Sequence, residues 1–159
     1  MHVMGRVAAY LGPETIIAHP VEGGSYSLTQ QAEACPDGFG IGWYPIEDGV
    51  EPVRITSRTS IRAAEHLLEV PRRYRSTCVV AEVRSATRGT PELSGAQPLA
   101  AGRYLFVHEG QLERFDEVFL RPLTAHLSDD AFSRLRGLTP AEVLFACWID
   151  ALEGDGPDA

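Results

Sequence analysis

The chain has 159 residues, 44% of them hydrophobic and 23% charged, enough for one globular domain with a core of its own. Its net charge of −8 excludes a general nucleic-acid binder, which needs clustered positive charge to release counterions. No apolar run approaches the roughly 18 residues of a membrane span and no basic-then-apolar leader opens the chain. A cytoplasmic protein with neither a nucleic-acid nor a membrane partner is therefore expected.

In chain order, residues 5–11 read as a strand closed by Gly12-Pro13, and residues 13–36 as a loop with one helical turn around 28–34. Residues 40–44 and 52–56 read as two strands joined by the turn-rich segment Pro45-Ile46-Glu47-Asp48-Gly49-Val50. Ser60 is placed to cap a helix over 60–69, where Ile61, Ala64, Leu67 and Leu68 recur at helical spacing before Pro71 stops it. The β-branched run 77–84 predicts a buried strand, and residues 88–102, punctuated by Gly89, Pro91, Gly95 and Pro98, a loop. Residues 103–108 predict another strand, with a tight turn at Glu109-Gly110. Helices are expected at 116–126, 129–135 and 139–152, the last with Pro140 at its first position and Glu142 at its third. No repeat or linker divides residues 1–153, which are expected to form one domain, and the acidic segment 154–159 a disordered tail.

Two absences limit the chemistry. The chain has no Lys and no Asn, and all 14 basic residues are Arg, which fits a GC-rich bacterial genome and leaves no lysine amine and no Asn side chain for catalysis. Cys35, Cys78 and Cys147 are odd in number and widely spaced, and His2, His19, His66 and His126 lie at no ligand-like spacing. No metal site and no cofactor are expected.

Several ordered segments carry a resemblance. Met4-Gly5-Arg6-Val7-Ala8-Ala9-Tyr10-Leu11-Gly12 resembles an opening strand reading Met-Cys-Arg-x-x-Ala-Tyr-Leu-Gly, and Pro20, Ser27, Leu28 and Gln31 fit the loop and helix after it. Asp37-Gly38-Phe39-Gly40-Ile41-Gly42-Trp43-Tyr44 resembles Asp-Gly-Phe-Gly-x-Gly-Trp-Tyr, and Val83-Arg84-Ser85-Ala86-Thr87-Arg88-Gly89 resembles Val-Arg-x-Ala-Thr-x-Gly. Tyr104-Leu105-Phe106-Val107-His108-Glu109-Gly110 resembles aromatic-x-Phe-x-His-Asn-Gly. Gly137-Leu138-Thr139-Pro140-Ala141-Glu142-Val143-Leu144-Phe145 resembles Gly-x-Thr-Asp-Ser-Glu-x-Leu-Phe. All belong to the class II (N-terminal nucleophile) glutamine amidotransferases, in a branch similar to the ergothioneine-pathway amidotransferases. The resemblance implies an α+β fold, the Ntn-hydrolase-like αββα sandwich, abbreviated at the C-terminus because family members continue past the last helix.

The same resemblance locates the site. The family nucleophile, a Cys made N-terminal by loss of the initiator Met, is Gly5 here, with Met1-His2-Val3-Met4 ahead of it; even a start at Met4 would expose no thiol. The family Asn, which with the backbone N–H of the following Gly forms the oxyanion hole, is Glu109, followed by Gly110. One such donor contributes roughly 10²–10³ in rate, and an ionised carboxylate offers none. The Asp that binds the substrate's α-amino group is Pro140, and the Asn before the Asp-Gly turn is Cys35. Arg84, Asp37, Gly38 and His108 remain as pocket residues.

Two readings stay open. One is a degenerate family member that binds a small ligand, or a partner such as a second copy or a paralogous amidotransferase-like subunit. The other is an amidase or amidotransferase with rewired chemistry, using Cys35 as an alternative nucleophile or a water activated by Glu109. The abbreviated sheet, with a face and edge to cover, predicts a homodimer or such a heteromer.

Overall fold

The computed structural model describes residues 5–47, 49–85 and 96–154. The alternative start at Met4, the Ala86-Thr87-Arg88-Gly89 part of the arginine motif, the first part of the 88–102 loop and the tail beyond Gly154 lie outside the described residues. The chain forms two compact units, Met1–Gly110 and Gln111–Ala159.

In the first unit β1 (Arg6–Ile16), β2 (Phe39–Trp43), β3 (Val53–Ser57) and β4 (Arg75–Val83) make an antiparallel sheet of order β1-β4-β2-β3. Residues directly opposite in an antiparallel pair share a face. Tyr10 therefore lies on the same face as Val79, and Ala81 on the same face as Ile41. That face packs on α1 (His19–Glu22), α2 (Leu28–Gln31) and the turn and 3-10 segment that carries Ile61, Ala64 and Leu68. Each fully buried branched side chain in this core contributes about 1.5–3 kcal/mol.

The opposite face carries Gly40 and Gly42, and the reason for glycine is a second layer. The hairpin of β5 (Leu99–Ala101) and β6 (Tyr104–Phe106) lies against it, so that a Cβ on Gly40 would fall on the Gln97 carbonyl oxygen. A Cβ on Gly42 would lie 3.0 Å from both Pro98 and Leu105 side-chain carbons. Tyr44 ties the layers together: its hydroxyl donates to the Arg103 carbonyl at 3.0 Å and accepts from the Leu105 N–H at 3.2 Å.

The second unit holds a π-helical turn (Phe115–Phe119) running into α3 (Leu120–Ala125), then α4 (Asp129–Ser133) and α5 (Pro140–Gly154). Thr139 and Glu142 close the start of α5 reciprocally, with Glu142 N–H to Thr139 Oγ1 at 3.3 Å and Thr139 N–H to Glu142 Oε2 at 3.2 Å.

Several elements differ from the sequence expectation. β1 runs to Ile16 rather than stopping at Gly12-Pro13, because a register shift between Leu11 and Thr15 absorbs the proline on an edge strand, where its missing N–H costs little. The segment 60–69 is not an α-helix. Ser60 caps its first turn as expected, but the chain then continues as a 3-10 helix, Glu65–Glu69. The predicted loop before residue 103 contains β5, too short to show a period. The predicted helix 116–126 begins one residue earlier, as a π turn over Phe115–Phe119, and continues as α3.

Candidate functional site

The candidate site lies at the start of β1, between the two layers of the first unit. Gly5 is buried, and the space where its side chain would begin is already taken. A Cβ built there would lie 2.5 Å from Glu109 Oε2, 3.2 Å from Glu109 Cδ and 2.8 Å from the Val83 carbonyl oxygen. Gly5 and Glu109 are thus in direct contact, with the Glu109 carboxylate filling the gap.

Glu109 is held there by an unexpected residue. The Gln97 side chain receives the His108 N–H on Oε1 and donates through Nε2 to the His108 carbonyl at 2.9 Å, clamping the turn after β6. Burial raises the Glu109 carboxyl above the usual carboxylate range. The His108 charge, the neighbouring Gly5 backbone, the Arg6 charge and the neighbouring Gly110 backbone pull it back in part.

Glu82 shares this region. It is 4% exposed, opposite Val7 on one side and Gly40 on the other, on the inter-layer face of β4. Burial and, next, the charge of Glu109 push its carboxyl up to about 7, against the opposing pull of Arg84. Arg84 itself is placed by its backbone, which extends the β2–β4 ladder: its N–H donates to the Gly38 carbonyl at 2.8 Å and its carbonyl accepts from the Asp37 N–H at 3.1 Å. Gly38 has φ of 142°, and a Cβ there would meet the Ser57 carbonyl oxygen at 2.5 Å.

Cys35 feels the same charges from the helical side of the sheet. It is 1% exposed within the main core. Burial raises its thiol, Arg6 lowers it by less, and Glu109, Asp37 and Glu82 raise it further. The thiolate needed for attack is disfavoured. Pro140 opens α5 in the second unit, where the proline ring offers no carboxylate for an amine.

The fold thus gathers Gly5, Cys35, Asp37, Gly38, Arg84, His108, Glu109 and Gly110 in the first unit. Sequence reasoning missed Glu82 and Gln97. A lone carboxylate in the run Cys78-Val79-Val80-Ala81-Glu82-Val83 was a usable signal; nothing marked Gln97, whose side chain works across the chain. Among the described residues, no group of three or more His, Cys, Asp or Glu could hold a metal ion, and no helix is long and apolar enough to cross a membrane.

Helices against layered antiparallel strands, with a site at the start of the first strand, define an Ntn-hydrolase-like fold. A glutamine aminotransferase class-II domain protein from Silicibacter pomeroyi superposes with a TM-score of 0.64 at 25% identity, over 94% of this chain and 56% of that one. The family described as "Glutamine amidotransferases class-II" matches residues 23–152, and the chain belongs to that family. It is 31% identical over 117 residues to the gamma-glutamyl-hercynylcysteine sulfoxide hydrolase of Mycobacterium tuberculosis, covering 70% of this chain and 49% of that protein. It is 29% identical over 127 residues to a probable glutamine amidotransferase of Saccharomyces cerevisiae, covering 77% of this chain and 35% of that protein. The chain therefore spans between about a third and a half of the length of these curated relatives.

Proposed function

We propose that this chain is a catalytically degenerate class-II glutamine amidotransferase-like protein, a non-catalytic binding or regulatory partner rather than a glutaminase. One observation carries the reading: position 5 is a glycine, and the Glu109 carboxylate fills the volume where a nucleophilic side chain would start. A carboxylate in that place repels the anion of a tetrahedral intermediate instead of stabilising it. Arg84 remains beside the pocket as a cation able to meet a ligand carboxylate.

Residues 1–153 act as one amidotransferase-like domain in this proposal, supported by a family match that runs through both compact units. The partner is a second copy or a paralogous amidotransferase-like subunit. Supporting it, Val7 is 38% and Leu11 84% exposed on the inter-layer face of β1. A cytoplasmic location belongs to the same proposal.

The competing enzymatic reading has one observation in its favour. Glu82 and Glu109 form a carboxyl pair with raised pKa values, the kind of environment that tunes acids and bases. Glutamate release from glutamine at high protein concentration separates the two. Losing a nucleophile that acts as a unit with its base removes on the order of 10⁶ in rate, so no release above background is expected. Turnover of about one per second, in the ordinary enzymatic range and abolished by Cys35→Ala or Glu109→Gln, would overturn the proposal.

A further inference from the structure

The ladder of β5 and β6 ends at Leu99 and Phe106, just short of the candidate site. Continued by two residues, its register sets Gln97 opposite His108. Backbones paired in an antiparallel ladder exchange two N–H···O bonds at every second residue. The backbone carbonyl of Gln97 lies instead over Gly40, where a Cβ would collide with it. The Gln97 side chain makes the pair in its place. Its Oε1 accepts from the His108 N–H, and its Nε2 donates to the His108 carbonyl at 2.9 Å. A primary amide carries the same donor and acceptor as a peptide group. Leucine has neither, and an ionised glutamate would set a carboxylate against the His108 carbonyl.

The pair stands at a crossing between strands. Gly40 lies on β2 and Gly5 precedes β1, with β4 between those strands in the sheet. Gln97 sits over Gly40 and the Glu109 carboxylate over Gly5, so the segment joining them crosses β4. Glu82, opposite both Gly40 and Val7, is the β4 residue at that crossing, and it is 4% exposed.

We propose that Gln97 is a positioning residue for the candidate site: its side-chain amide replaces the missing ladder pair with His108, and so holds the next residue, Glu109, with its carboxylate against Gly5. The inference deepens the reading above, and rests on it only in treating this pocket as the amidotransferase-like site. Turnover plays no part in it. With the pair broken, Glu109 leaves Gly5 and water reaches Glu82. Both carboxyls then lose the burial that is the main cause of their raised proton affinity.

The test is carbon NMR titration of the side-chain carboxyls in the full chain, with Glu82→Gln and Glu109→Gln assigning the two signals. In the wild type, Glu109 should titrate above the usual carboxylate range and Glu82 near 7. Gln97→Leu should bring both midpoints down toward 4.5. Its His108 amide should exchange with solvent about tenfold faster, the factor that corresponds to one net hydrogen bond. Arg6, His108, Arg84, Cys35 and Asp37 also act on this region, and Gln97→Leu leaves all five in the chain. Gln97→Glu keeps the side-chain length and, once ionised, should behave as Gln97→Leu does. A Gln97 with a merely structural role would lower stability and speed exchange while leaving both carboxyl midpoints in place, and that result would overturn the proposal. Where only one variant folds, that variant decides. If neither folds, the wild type decides: the His108 amide must be protected, and the Glu109 side chain must show a nuclear Overhauser contact with the Gly5 Cα protons. Failure of either overturns the proposal. Glutamate release is read separately, so each reading can fail without the other.

Discussion

Glu82 puts an ionisable group between two layers of backbone and apolar side chains, and its protonation is coupled to folding. Its carboxyl rises from 4.5 to about 7 in the folded state, chiefly through burial. Because the folded state holds the proton more tightly than the unfolded chain, its contribution is complete below about pH 4.5 and is lost as pH rises through about 7. The loss is on the order of 3 kcal/mol. Glu82→Gln is therefore expected to gain stability relative to wild type as pH rises from 4.5 to 8, read as the difference between their denaturant midpoints at each pH. A difference that does not change with pH would show that Glu82 ionises without cost. At this scale the sequence was unevenly readable. Gly5, Cys35, Glu109 and Pro140 stood out because each replaces a residue of a recognisable motif. Glu82 and Gln97 did not, because their roles depend on which strand faces which layer, and on a side-chain amide that joins residues 97 and 108.

The start of α5 illustrates an element that could be written down from sequence. Thr139 and Glu142 have capping-box spacing, and both reciprocal bonds form, with Thr139 Oγ1 donating to Glu142 Oε2 at 2.7 Å as well. Glu142 is 6% exposed, and its Oε1 has no hydrogen-bond partner. Removing Thr139 Oγ1 therefore deprives both the helix end and a buried carboxylate. Thr139→Ala should cost about 1–2 kcal/mol, with Thr139→Ser close to wild type, in urea unfolding followed by far-UV circular dichroism. A neutral Thr139→Ala would mean that the cap is dispensable. β2, β3 and β4 were legible for a similar reason, since alternation and β-branching survive in a five- to nine-residue strand. β5 and β6 have three residues each and owe their pairing to the layer beneath. The length of β1 depends on a register shift that no local pattern encodes.

At the scale of the whole molecule, ordered motifs were enough for the family, because each marks a turn or strand end that the fold cannot do without. They do not identify what the surface meets. Leu11 and Val7 leave apolar area open on β1, while Pro13 and the register shift blunt its edge against simple strand addition. Covering by a packed face is the better match, and sedimentation at micromolar concentration should show a species heavier than the 17.4 kDa chain. Leu11→Ser should shift that species toward the monomer, and a wild type that sediments only at 17.4 kDa would contradict the partner reading.

The central claim is that the pocket keeps the family's architecture without a nucleophile. Its most direct test is intact-mass analysis after incubation with an electrophilic diazoketone analogue of glutamine, which alkylates an activated thiol whether or not turnover occurs. The account predicts an unmodified chain, since position 5 has no thiol and burial holds Cys35 in its thiol form. A stoichiometric adduct mapped to Cys35 would contradict it.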